Sequence, residues 1–260
     1  MLYVTTSQKG AAAFDQEALR IGQLLESPVI DRNDASLLEV FTETQADKLL
    51  VVGSKGPVLY TSPKAKHQFH ISMAQLRLLA LKRGQRDHLL EAVGSIKLTS
   101  FLDCTAGLCS DSLVVSYAHP TCQRLYAVEG LAALAYISNW GCRHFRHEDE
   151  KVTAALRRIQ VVAMYYEDLL PRLGNNSFDV VYLDPMFEVP VMASSQFLSL
   201  RGQLVETVIS RPMIKEALRV AKYRVIIKER PHSHLFKTYR PTQLVGGKYS
   251  RIAYGIYEKG

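Results

Sequence analysis

Val180-Val181-Tyr182-Leu183-Asp184-Pro185-Met186-Phe187 is an apolar run that stops at an acid, a proline and an aromatic ring. Such a run reads as a buried parallel strand, and Pro185, which has no N–H to give, ends the ladder. Ligands of open α/β sheets bind beyond the carboxyl ends of the strands, so this reading delivers Asp184 into a crevice. An exocyclic amine placed there donates to the Asp184 carboxylate and to the Pro185 carbonyl while its ring stacks on Phe187. Those bonds draw the nitrogen lone pair out of conjugation and make the nitrogen a methyl acceptor. Asp-Pro is also a common turn opener, so the segment carries a function only if other parts of the chain supply partners.

The partners lie upstream. Ser100-Phe101-Leu102-Asp103 and then Cys104-Thr105-Ala106-Gly107-Leu108-Cys109-Ser110-Asp111-Ser112 read as a strand, a tight turn and the start of a helix. Small residues at Thr105, Ala106 and Gly107 let a ligand approach the backbone. The turn has neither the G-x-G-x-x-G of a dinucleotide loop nor the Gly-Lys-Ser/Thr of a phosphate loop, which argues against NAD and ATP. Asp103 repels a pyrophosphate and suits a ligand with an ammonium group, which S-adenosylmethionine has. A second strand, Arg124-Leu125-Tyr126-Ala127-Val128-Glu129-Gly130, also ends in an acid, the placement that grips ribose hydroxyls in nucleotide-type folds. A third, at 158–164, runs into Tyr165-Tyr166, and its end is expected at the adenine. The plainer alternative is that both acids merely terminate strands.

Composition bounds the rest. At 260 residues and 47% hydrophobic content the chain fills the core of one large domain, or of one domain with a small appendage. No run of about 18 apolar residues exists to span a bilayer, and the first residues lack the basic start of a signal peptide, so a cytoplasmic protein with no membrane partner is expected. Cys104, Cys109, Cys122 and Cys142 have no paired spacing, and no metal site is expected. The net charge of +7 leans toward a polyanionic partner. Strands at 2–6 and 48–52, a helix at 14–25 and Val58-Leu59-Tyr60 pairing back predict a small α/β unit over residues 1–60. Residues 61–97 read as a helical linker: a basic stretch from Ser62 to His67, then helices at 72–83 and 87–93 closed by Gly84 and Gly94. The first of these helices carries Met73, Leu76, Leu79 and Ala80 on one face, and the basic residues from Lys64 to Arg86 are candidates to line an RNA groove. From 98 to 260, strands interleave with helices, with later strands at 222–228 and 250–257. That pattern predicts an α/β fold with a doubly wound, mainly parallel sheet, an antiparallel edge and right-handed crossovers.

The run from Asp103 to Asp111, Glu129, and Tyr182-Leu183-Asp184-Pro185-Met186-Phe187 together resemble the bacterial small-subunit ribosomal RNA guanine-N2 methyltransferase family and its Gram-positive relatives, over residues 98–257. The resemblance implies a class I S-adenosylmethionine-dependent methyltransferase with a seven-stranded Rossmann-like sheet, releasing S-adenosylhomocysteine. It implies cofactor contacts at Ser110, Asp111, Glu129, Gly130, Tyr165, Tyr166 and Asp184, beside the turn residues Asp103, Thr105, Ala106 and Gly107. Asp184, Pro185 and Phe187 become the acceptor site, the substrate a guanine N2 amine in ribosomal RNA, and RNA the partner. Lys228 and Arg230-Pro231 resemble the family's basic strand ending, with Glu229 inserted. Three features depart from the family: Cys109 and Ser110 stand where it carries Gly then Arg, Tyr165-Tyr166 where it has small or acidic residues, and residues 1–60 do not match its N-terminal part. Two other readings remain open, a methyltransferase of another planar amine and an RNA-interacting protein that keeps the cofactor pocket without turnover. For an RNA substrate, Lys66, Arg77, Lys82, Arg83, Lys228 and Arg230 are the expected phosphate contacts.

Overall fold

The computed structural model describes residues 1–9, 11–185, 209–247 and 250–259. Its first sheet has four strands in the order β1 (Leu2–Thr6), β2 (Lys48–Val52), β3 (Val58–Tyr60) and β4 (Lys66–Gln68). The first pair is parallel and the other two are antiparallel. Between β1 and β2 the chain makes α1 (Asp15–Leu24) and α2 (Leu37–Thr44). The second helix is opened by a capping box in which Ser36 and Glu39 satisfy each other's backbone N–H groups. The basic stretch read as linker is therefore partly strand: Lys66–Gln68 pairs with β3, with His67 turned inward and Lys66 and Gln68 outward.

Next come α3 (Ser72–Lys82) and α4 (His88–Val93). Gly84 adopts φ +74° after the first, and the Asp87 side chain caps the second. On α3 the apolar set picked from the sequence is mostly the outer one. Ala74 and Leu78 are buried, whereas Met73, Leu76 and Leu79 are exposed.

The main sheet follows as β5 (Ser100–Asp103), α5 (Ser110–Ala118), β6 (Arg124–Glu129), α6 (Ala132–His144), α7 (Glu150–Arg158), β7 (Ile159–Ala163), α8 (Tyr166–Leu169), β8 (Phe178–Leu183), α9 (Arg211–Val220), β9 (Ala221–Glu229), α10 (His234–Thr238), β10 (Gln243–Val245) and β11 (Ala253–Glu258). The seven strands lie in the order β10-β11-β9-β8-β5-β6-β7. The five from β9 to β7 are parallel, and β11 runs antiparallel to both its neighbours. This is the Rossmann-like methyltransferase sheet expected, with one addition: the outermost strand is β10, a short exposed segment that the sequence reading does not assign.

All six residues of β8 are buried, as a strand covered on both faces requires. Phe101, Val180, Tyr182 and Ile226 enter the core beneath α3, α4, α5 and α7. Leu102, Val181, Leu183, Val225 and Ile227 enter the other, beneath α8, α9 and α10. The first sheet packs on α6, where Val4, Ile21, Leu50 and Leu59 share a core with Leu108, Leu134 and Ile137.

Candidate active site

Strand order reverses at β5, which pairs with β6 on one side and β8 on the other. A crevice forms beyond the strand ends at such a point, and three of the predicted acids end the strands around it. Asp103 closes β5, Glu129 closes β6 and Asp184 follows β8. The intervening turn is stitched to the sheet by Cys104 N–H donating to the Tyr182 carbonyl and Ala106 N–H to the Val128 carbonyl, each at 2.8 Å. Thr105 Oγ1 accepts from the Asp184 N–H at 2.6 Å, which ties the turn to the start of the Asp-Pro segment.

Asp103 is 1% exposed. The Thr105 N–H donates to its Oδ1 and the Ser112 hydroxyl to its Oδ2 at 2.6 Å. Burial nevertheless pushes its pKa up to about 7, with Asp111 and Asp184 adding to the rise. Glu129 holds the loops on both sides of it, taking Gly107 N–H at 3.1 Å and Leu131 N–H at 2.8 Å, and burial raises its pKa as well. Gly107 has φ +50°, and a Cβ built on it meets no atom within 4 Å. The turn thus opens onto free space where a ligand would lie, with carboxylates at both ends. These features fit S-adenosylmethionine: backbone contact at Gly107 and ribose hydroxyls toward Glu129, with the charge of the buried Asp103, both of whose oxygens are already hydrogen-bonded, attracting the ammonium from behind the turn. Gly130 is small for a visible reason, since a Cβ there would stand 2.4 Å from the Tyr165 ring. Tyr165 is 44% exposed, whereas Tyr166 is buried. Of the expected pair, Tyr165 has the face to offer an adenine, and Tyr166 belongs to the core under α8.

Ser110 opens α5 behind Cys109, which takes the left-handed φ of +61° in place of a glycine. The Cys109 thiol meets Cys142, and that contact together with burial holds its pKa well above the ordinary value. All four cysteines are free and buried, an environment that suppresses thiolate chemistry.

Asp111 sits differently from the cofactor contact expected of it. Its carboxylate is held by the Arg77 guanidinium, by Lys228 Nζ at 3.3 Å and by the Tyr182 hydroxyl, which donates at 2.8 Å. Although burial opposes ionisation, Lys228 and Arg77 keep the carboxyl well below the usual range. Arg77 also makes two bonds to Asp87, at 2.7 and 2.8 Å. Lys228 reaches Asp184 Oδ2 at 2.6 Å. Burial raises the Asp184 pKa, and Lys228 opposes that rise. Arg77 and Lys228, expected to meet phosphate, are therefore committed inside the protein. The sequence offered one sign of this, a cation in the otherwise apolar run Val225-Ile226-Ile227-Lys228. The register that pairs it with Asp184 was not legible. Pro185 follows Asp184 at the mouth of the crevice, and Phe187 lies outside the described residues.

Residues 39–259 match the family described as "Putative SAM-dependent methyltransferase". An uncharacterized protein, YpiP, of Bacillus subtilis (strain 168) is 32% identical over 236 residues, 91% of each chain. The ribosomal RNA small subunit methyltransferase J of Coxiella burnetii (strain RSA 493 / Nine Mile phase I) is 27% identical over 245 residues, 91% of this chain and 90% of that one. Among solved structures, the SAM-dependent methyltransferase NGO1261 of Neisseria gonorrhoeae superposes with a TM-score of 0.65 at 17% identity, over 99% of this chain and 96% of its own. That likeness is one of fold.

Proposed function

The chain belongs to this family of SAM-dependent methyltransferases, and we propose that it methylates an exocyclic base amine, the N2 of a guanine in small-subunit ribosomal RNA. The observation that carries the acceptor reading is the Asp184 carboxylate, fixed at the C-terminal end of β8 beside the crevice by Lys228 and by the Thr105 bond to its own N–H. An amine donating to Asp184 and to the Pro185 carbonyl is held with its lone pair turned away from its ring. When bound, S-adenosylmethionine supplies a methyl group already activated on a sulfonium. The protein is left to align the nitrogen and exclude water, which is catalysis by orientation. Asp184 also stabilises the positive charge the amine gains, and a carboxylate raised above its ordinary pKa is suited to take the proton that the nitrogen then loses. Asp103, Thr105, Ala106, Gly107, Ser110, Glu129, Gly130 and Tyr165 line the cofactor side in this reading. The ribosome enters from the relatives named for ribosomal RNA, guanine N2 from the resemblance of the Asp103–Asp111 and Tyr182–Phe187 runs, and RNA as partner is supported by the net charge of +7.

The test is mass spectrometry of nucleosides from ribosomal RNA of cells with and without the protein. The expected result is N2-methylguanosine lost from one mapped position of the small-subunit RNA and restored by the purified enzyme. Equal levels at every position, with no transfer to subunits from the deletion cells, would remove the ribosomal assignment and point to another planar amine.

A further inference from the structure

The described residues pack an unusual amount of charge behind the acceptor acid. Leu183 pairs with Ile227, so the next step out along β8 and β9 sets Asp184 beside Lys228. Across the other side of β9, Lys228 pairs with Tyr254. The Lys228 side chain is 17% exposed and its ammonium lies between Asp184 Oδ2 and Asp111 Oδ2. Asp111 in turn is anchored by Arg77 and Tyr182, and Arg77 by Asp87. Lys228 clamps Asp184 Oδ2, no hydrogen bond to Oδ1 is seen among the described residues, and the Asp184 side chain is 25% exposed. A cation this enclosed is costly to bury unless its partners repay it. The arrangement spends it on the carboxylate next to which the acceptor would sit.

From this geometry we propose that Lys228 is a positioning residue: anchored on Asp111, it fixes the Asp184 carboxylate through Oδ2 and keeps it ionised, so that Oδ1 faces the incoming amine as a hydrogen-bond acceptor. The proposal rests on the reading of Asp184 as the acceptor-side acid. A neutral Asp184 would present an O–H and lose much of its hold on an N–H donor. Burial favours that neutral form and Lys228 opposes it. Among the described residues, the charged and titratable groups facing Asp184 are Lys228 on β9, Asp111 on α5, Arg77 on α3, Asp103 on β5, Tyr182 on β8 and Tyr254 on β11. Their signs give opposed expectations. Removing Lys228 takes away the nearest cation and moves the Asp184 titration to higher pH. Removing the charge of Asp111 takes away a nearby anion and moves it to lower pH.

The experiment follows the carboxylate 13C resonances of the full-length protein through a pH titration, with Asp184→Asn identifying the Asp184 signal. The expected order of midpoints is Asp111→Asn lowest, then the parent together with Lys228→Arg, then Lys228→Met highest. A Lys228→Met midpoint coincident with the parent overturns the proposal. If a melting curve shows that Lys228→Met does not fold, Lys228→Gln decides, and a Lys228→Gln midpoint at or below the parent's overturns it. In methyl transfer to small subunits from the deletion cells, Lys228→Met is expected to move the acid limb of kcat to higher pH while KM for S-adenosylmethionine stays within a few fold. The acceptor reading fails by a different result, parent-rate transfer by Asp184→Asn, which leaves the order of the titrations untouched.

Discussion

Asp103 is a buried acid whose two hydrogen bonds do not offset the loss of water, which is why its pKa stands near 7 and not at the ordinary 3.8. Between those values the folded chain binds a proton that the unfolded chain has released, so this residue makes stability fall as pH rises through that window. Asp103→Asn removes the dependence. The melting temperature of the variant should gain on the parent steadily from pH 4 to pH 7, as calorimetry across that range will read, and a constant difference would mean that Asp103 titrates normally. The same charge should draw a cationic ligand more strongly once it has formed. Gly107 makes a complementary test. Its φ of +50° costs a side chain roughly 1–2 kcal/mol, yet the space around it is open. Gly107→Ala should therefore fold with a modest loss while its affinity for S-adenosylhomocysteine falls by more than that loss, because the methyl projects to where the ligand would lie. Unchanged affinity in titration calorimetry would move the cofactor off this turn.

At the scale of elements, two tight joints lie where the first sheet and its trailing segment meet α6. A Cβ on Gly141 would stand 1.9 Å from the Phe69 ring, and one on Gly56 would stand 2.4 Å from Trp140. Phe69 is packed against two parts of the core, and Trp140 is stacked on His144. Gly141→Ala should cost about 1–3 kcal/mol through overpacking, read by denaturant melting, whereas Gly174→Ala, with nothing within 4 Å, should cost little. Equal costs would show that the joint yields freely. These joints also mark what was readable from residues alone. β1, β2 and β6 were legible to their ends, because each is an apolar run closed by a turn or an acid. α6 was not, because Ala133, Leu134, Ala135, Tyr136, Ile137, Ser138, Gly141 and Cys142 are all buried and leave only a short polar face at Asn139, Arg143 and His144 for a helical period to show. The strand-end acids were legible as single residues. The Asp184–Lys228–Asp111–Arg77 chain was not, since it depends on a register and on a helix brought in from α3.

Over the whole molecule, the net charge of +7 describes the sequence but not the surface that an RNA would meet. Two of the cations expected to contact phosphate, Arg77 and Lys228, are paired with Asp87, Asp111 and Asp184 in the interior. Lys82 is bonded to Asp149 at 2.6 Å across to the start of α7, although its side chain remains 42% exposed. Lys64, Lys66 and Arg83 stand exposed, the first two on the loop and strand that complete the first sheet and the third at the end of α3. A cation already neutralised inside the protein releases no counterion from the nucleic acid when RNA binds, so it contributes nothing to the salt dependence. Binding of small-subunit RNA measured over a range of salt should separate the two groups. Lys66→Ala and Arg83→Ala should each flatten the slope of log affinity against log salt by roughly 0.7, the value for one phosphate contact on a single strand. Arg77→Gln, which removes both the charge and the two-pronged grip on Asp87, should leave that slope where it is while lowering the melting temperature. A flattened slope in Arg77→Gln, with none in Lys66→Ala, would place the RNA over the mouth of the charge cluster and not along the face of α3 and the first sheet.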